Sequence, residues 1–121
     1  MDRQAFVTWL DEYKRVWQER DGDGAAALFT ADGSYQESPW REPMRGPEIA
    51  AYWRRVAEEQ REISFSYEIV ATEGDTGVNR WQAAFAHLPS GQRFVLDGVF
   101  VVRLTASGRC YAFQEWWNPE E

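Results

Sequence analysis

EISFSYEIVATEGDTGVNRWQAAFAH, residues 62–87, is the stretch that decides the fold. Ile63, Phe65, Tyr67 and Ile69 alternate with Glu62, Ser64, Ser66 and Glu68, a period of two that only a strand with one buried face satisfies. GDTG then reads as a hairpin turn, and VNRWQAAFAH as the returning strand. The pattern continues downstream. LPSGQ turns into RFVLDGVFVVRL, and TASG leads to RCYAFQEWWN, so three consecutive hairpins predict four long antiparallel strands.

Upstream of residue 62 the period is 3.6. Phe6, Trp9, Leu10, Tyr13, Val16, Trp17 and Arg20 predict an amphipathic first helix, ended by RDGDG. Asp23 suits the N-cap of a short second helix over 24–29. TADG is expected to turn into a short strand, SYQE, which Pro39 stops, and REPM supplies another. Pro47 opens a third helix whose stripe is Ile49, Tyr52, Trp53 and Val56. Helices first and a meander afterwards give an α+β domain, with three helices packed on one face of a strongly curved antiparallel sheet. Such a sheet, half closed by helices, encloses a cone with an open mouth.

The chain has 121 residues, enough for one domain and one core, so residues 1–121 are read as a single unit. Seven Trp, seven Phe and five Tyr in so short a chain line either a thick core or a concave pocket. A net charge of −7 argues against a nucleic-acid partner, which needs clustered Lys and Arg. No apolar run approaches a membrane span, and no leader pattern begins the chain. One cysteine, Cys110, excludes an internal disulfide, so a cytoplasmic location is the expectation. A lone histidine, His87, and no spaced ligand set give no support for a metal. No phosphate loop, dinucleotide fingerprint or nucleophile elbow appears, so no cofactor is expected.

In order and spacing, YKRVWQERDGDGAAALFTADGSYQESPW, RGPEIAAYWRR, FVLDGVFVVRL and GRCYAFQEWW resemble the nuclear transport factor 2-like superfamily, in its SnoaL-like and ketosteroid isomerase branch. The resemblance runs nearly end to end. It implies the cone fold, with isomerases, cyclases, dehydratases, epoxide hydrolases and noncatalytic binders among its members. Residue by residue, Tyr13 matches the ketosteroid isomerase tyrosine that donates to the developing oxyanion. Glu37 matches the general base, with Ser38 inserted before Pro39. The second oxyanion donor, a protonated Asp, falls on Phe100, so that member is missing and steroid isomerisation itself is not expected. Trp117 matches a tryptophan that supports the base. The family's strand order also sets the last strand beside the first.

Taken with that alignment, strand phase turns Asn79, Trp81, Ala83, Phe85 and His87 inward, with Leu96, Gly98, Phe100 and Val102, and Tyr111, Phe113, Glu115 and Trp117. Glu115 is then a carboxyl in an aromatic cup, within approach of Glu37. Two acids sharing an apolar pocket raise a pKa toward the range useful for acid/base catalysis. Tyr13, Glu37 and Glu115 are the expected catalytic groups. Trp17, Tyr35, Trp40, Trp53, Phe65, Asn79, Trp81, Phe85, Phe100, Phe113 and Trp117 are the expected lining for a small hydrophobic, aromatic, polycyclic or polyketide-like molecule. Plainer readings stand beside these: Glu37 solvated at a strand end, Glu115 a structural hydrogen-bond hub, Tyr13 a packed core residue, His87 a solvated strand end. The opposite sheet face carries Ala84, Ala86, Val95, Val99, Val101, Ala112 and Trp116, too apolar to be left wet, and a homodimer through it is expected, the weaker alternative being a protein-interaction module that offers this face to a different partner.

Overall fold

A computed structural model describes residues 1–120. Three helices, α1 (Arg3–Gln18), α2 (Gly22–Ala26) and α3 (Pro47–Glu59), precede or interrupt a six-stranded sheet. Its strands are β1 (Phe29–Gln36), β2 (Met44–Arg45), β3 (Gln60–Glu73), β4 (Thr76–His87), β5 (Gln92–Leu104) and β6 (Cys110–Pro119), in the order β2-β1-β6-β5-β4-β3. The three hairpins pair β3 to β6 antiparallel, whereas β6 meets β1 in parallel. The fold is the α+β cone expected, with one parallel pair inside it.

Each helix begins where the chain supplies an acceptor or a fixed φ. Asp2 caps α1 by accepting from the Ala5 N–H at 2.8 Å, and Phe6, Trp9, Leu10, Tyr13, Val16 and Trp17 are all buried. Arg20, expected on that stripe, lies beyond the helix at φ 58°. Pro47 sits in the first turn of α3, and Ile49, Trp53 and Val56 face the core. The second helix is displaced from its expected position. It starts at Gly22 because the Asp21 carboxylate, not Asp23, accepts from the Gly24 N–H at 2.9 Å. Asp23 is thereby left for Arg54, 3.3 Å away. The TADG segment is not a separate turn; residues 30–33 form an irregularity within β1, across which the β6 register slips.

The sheet bends where its ladder is broken. β3 carries an extra residue between Arg61 and Ser64, where Glu62 adopts φ 53°, and another between Ile69 and Ala71. On β5, a Cβ at Gly98 would meet the Trp116 carbonyl at 2.0 Å and the Trp81 indole nitrogen at 2.9 Å, so only glycine allows β5, β6 and the Trp81 ring to approach so closely. Between Leu104 and Cys110 on one side, and Arg103 and Ala112 on the other, β6 gains Tyr111 as the unpaired residue. That shift corrects the phase expected there: Tyr111 points outward, its hydroxyl on the Asp75 carboxylate, while Cys110 is buried. Phase is restored from Phe113 onward, so Phe113 and Glu115 do face inward.

The core is aromatic. Tyr13 sits at its centre, its ring within 6 Å of Trp9, Trp17, Trp53, Phe65, Phe100 and Phe113. Phe113 in turn stacks on Tyr35 with ring centroids 4.5 Å apart. Offset and edge contacts of this kind add about 0.5–1.5 kcal/mol per pair to the area buried.

Candidate active site

A cavity of about 530 Å³ opens between α1, α3 and the inner sheet face. That volume lies in the range of small-molecule sites. α1 contributes Tyr13 and Trp17, β1 contributes Tyr35 with Glu37 just after it, and α3 contributes Tyr52, Trp53, Arg55, Val56 and Glu59. The sheet supplies Gln60, Trp81, Phe85, His87, Phe94 and Leu96, and β6 closes the wall with Glu115, Trp117 and Pro119.

Two carboxyls of different character share this space. Glu115 is 7% exposed, and burial first, then the nearby charge of Glu37, pushes its pKa well above the ordinary carboxylate value. It makes no hydrogen bond or ion pair with another described side chain. Glu37 lies just past the end of β1, paired with Arg41 at 3.1 Å. The Trp117 indole donates to the Glu37 carbonyl at 3.0 Å, which ties the end of β6 to the residue after β1 and fixes where that carboxylate begins.

Three phenols complete the polar set. Tyr13, Tyr35 and Tyr52 come from three different elements, and Tyr35 lies close enough to hydrogen-bond with the other two. Burial, and next the charge of Glu115, raises all three pKa values far above that of a free phenol. Ionisation of all three is thereby disfavoured. One buried acid and three phenols thus share one apolar site.

The mouth is framed by pinned side chains. The Trp17 indole donates to the Gln60 carboxamide oxygen at 2.8 Å. His87 Nδ1 lies 2.8 Å from the Ser90 hydroxyl, and its Nε2 lies 3.6 Å from Glu59. Cys110 takes no part; its buried thiol is pushed up to about 12 by burial. Among the described residues, no group of three or more acids, histidines or cysteines is arranged to hold a metal ion, and no helix is long and apolar enough to cross a membrane.

Of the residues expected at the site, Tyr13, Trp17, Tyr35, Glu37, Trp53, Trp81, Phe85, Glu115 and Trp117 line the cavity. Trp40 does not. Pro39 ends the strand and the chain folds tightly, Arg41 N–H donating to the Ser38 carbonyl, so the Trp40 ring is 92% exposed. Phe65, Phe100 and Phe113 are buried in the core and do not line the cavity. Asn79 is also buried away from it, its amide donating to the Arg80 carbonyl and its own oxygen without a partner. Tyr52, Arg55, Glu59, Gln60 and Phe94 were missed as site residues. Tyr52 was legible as a helix-stripe residue one position from Trp53, whereas Gln60 and Phe94 carry no local signal that sets them at a mouth.

The SnoaL-like domain family matches residues 10–113. By sequence, no curated protein matches the chain. Two solved structures share its fold at a TM-score of 0.85. One is the epoxide hydrolase/cyclase-like enzyme SalBIII of pyran ring formation in the polyether salinomycin, 20% identical, the alignment covering 97% of this chain and 93% of that one. The other is a Bacillus subtilis protein described as an isomerase candidate, 16% identical, covering 98% and 90%. With the family match spanning α1 to β6, this chain belongs to the SnoaL-like family of the nuclear transport factor 2-like superfamily.

Proposed function

We propose that this protein binds a small hydrophobic molecule, aromatic, polycyclic or polyketide-like, in its cone and rearranges it by acid/base proton transfer of the isomerase or cyclase type, without a cofactor. One observation carries the reading: Glu115, a buried acid whose pKa burial raises, shares an aromatic cavity with the ion-paired Glu37. The pair supplies an acid and a base at once.

In an isomerisation, Glu37 removes a proton beside a carbonyl, the phenols and Glu115 donate to the oxygen that gains charge, and Glu37 returns the proton at another carbon. In a cyclisation, Glu37 takes the proton of an attacking hydroxyl while Glu115 protonates the departing oxygen. Both schemes conserve protons within the site. The cyclase-like and isomerase-candidate relatives support this class of chemistry without choosing between them.

The test is Glu37→Gln and Glu115→Gln, each assayed on an unsaturated ketone and on an epoxy alcohol of matched size, with ligand binding measured alongside. Loss of turnover by both variants with binding retained supports the proposal. Unchanged turnover in either removes that residue's role. A second reading rests on Arg41, which engages a Glu37 oxygen at 3.1 Å and favours a structural carboxylate in a noncatalytic binder. Under it, the wild-type protein binds the probes and turns over neither.

A further inference from the structure

The charged groups of the cavity are unevenly paired. Three acids line the cavity: Glu115 is buried, Glu37 is paired with Arg41 at 3.1 Å, and Glu59 lies 3.6 Å from His87. One guanidinium lines the same cavity, that of Arg55 on α3. Among the described residues it has neither an ion pair nor a hydrogen bond. Its neighbours spend their charge elsewhere: Arg54 on Asp23 at 3.3 Å, and Arg61 on the carbonyls of Ala57, Glu58 and Gln60. Glu59, one turn along the helix and the natural partner of Arg55, is turned toward His87 instead.

Arg55 also has an aromatic neighbour. Its guanidinium lies over the Tyr52 ring, 5.6 Å from the centroid, a contact that leaves its N–H donors unused. Beside it, Gln60 has its carboxamide oxygen pinned by Trp17, which leaves the NH₂ of the same amide without a partner at the cavity wall. The cavity wall thus offers a cation and an amide donor without protein partners, beside apolar rings.

We infer that the ligand of this site is amphipathic, with an apolar ring body in the cone and a carboxylate at the mouth held by Arg55 and Gln60. This rests on the cavity being the ligand site, as proposed above, and adds the ligand's charge and its orientation. A planar carboxylate matches the guanidinium fork, and such charge-assisted pairs are about twice as strong as neutral hydrogen bonds.

The experiment is calorimetric titration of the whole chain with naphthylbutyrate and with naphthylbutanol, which differ only in the charged end. The wild type is expected to bind the acid more tightly than the alcohol. Arg55→Met, which keeps the unbranched stem over Tyr52, should weaken the acid about tenfold and leave the alcohol within about twofold, with Gln60→Leu weakening the acid by a smaller factor. Retained alcohol binding shows that the cavity survives the substitution. Equal weakening of both ligands by Arg55→Met, or no preference for the acid in the wild type, overturns the carboxylate assignment and leaves the cavity reading intact. Binding of neither ligand by the wild type overturns both.

Discussion

Glu115 stands directly across the β5–β6 ladder from Phe100. Phe100 occupies the position where the ketosteroid isomerase resemblance would set a protonated aspartate, and here that position is apolar and fully buried. A buried carboxyl is instead carried by the neighbouring strand, as Glu115.

A buried acid with a raised pKa makes stability depend on pH in a known direction. The unfolded chain titrates Glu115 near the ordinary value of 4.5, and the folded chain well above it. Folding is therefore favoured by this group below the unfolded value, and that contribution is lost as pH rises toward the folded one. Glu115→Gln removes the dependence. The stability difference between variant and wild type, from urea unfolding at a series of pH values, should grow with pH above about 4.5. A difference that is flat with pH contradicts the burial of this carboxyl.

The phenols give an independent reading of the same site. Tyr67, hydrogen-bonded to Asp11 at 2.6 Å, should ionise near 12, whereas Tyr13, Tyr35 and Tyr52 should ionise only as the fold is lost at alkaline pH. Ultraviolet difference titration separates the two groups. Tyr13→Phe, which keeps the ring at the centre of the core, should retain the fold while lowering turnover by about tenfold to a hundredfold.

Gly98 is the sharpest steric test. An alanine methyl there must displace the Trp116 carbonyl or the Trp81 ring. Gly98→Ala should cost about 1–3 kcal/mol in unfolding free energy, read from the denaturant midpoint. By contrast, Trp40→Ala should change stability by less than about 0.5 kcal/mol, since the ring is solvated.

The outer sheet face carries the dimer proposal. Val95 and Trp116 are each 41% exposed on that face, beside the partly buried Val99, Val101 and Ala112. A homodimer that packs this face against its copy should sediment at twice the chain mass, and Trp116→Glu should shift it to the monomer. A wild-type monomer at micromolar concentration removes the proposal.

Periodicity in the sequence determined the elements. The change from a period of 3.6 to one of 2 near residue 62, and the turn residues between strands, were enough to name three helices, the four-stranded meander and the stripe that places Tyr13 inward, because burial of one face leaves only one phase for each element. Only the tertiary structure decided which inward residues meet a cavity and which meet each other. Phe65 and Trp81 both face inward and pack together, 6.3 Å between ring centroids, yet only Trp81 reaches the cavity, because that depends on how far the sheet bends. The bend is set by bulges at Glu62, Val70 and Tyr111 and by close approach at Gly98, features that a repeat of two cannot express. Trp40 was misplaced for a related reason: a tight turn after Pro39 directs its ring by local backbone geometry, not by hydrophobicity. The charge state of Glu115 likewise belongs to the folded chain alone, since it comes from the water that α1, α3 and the sheet together exclude.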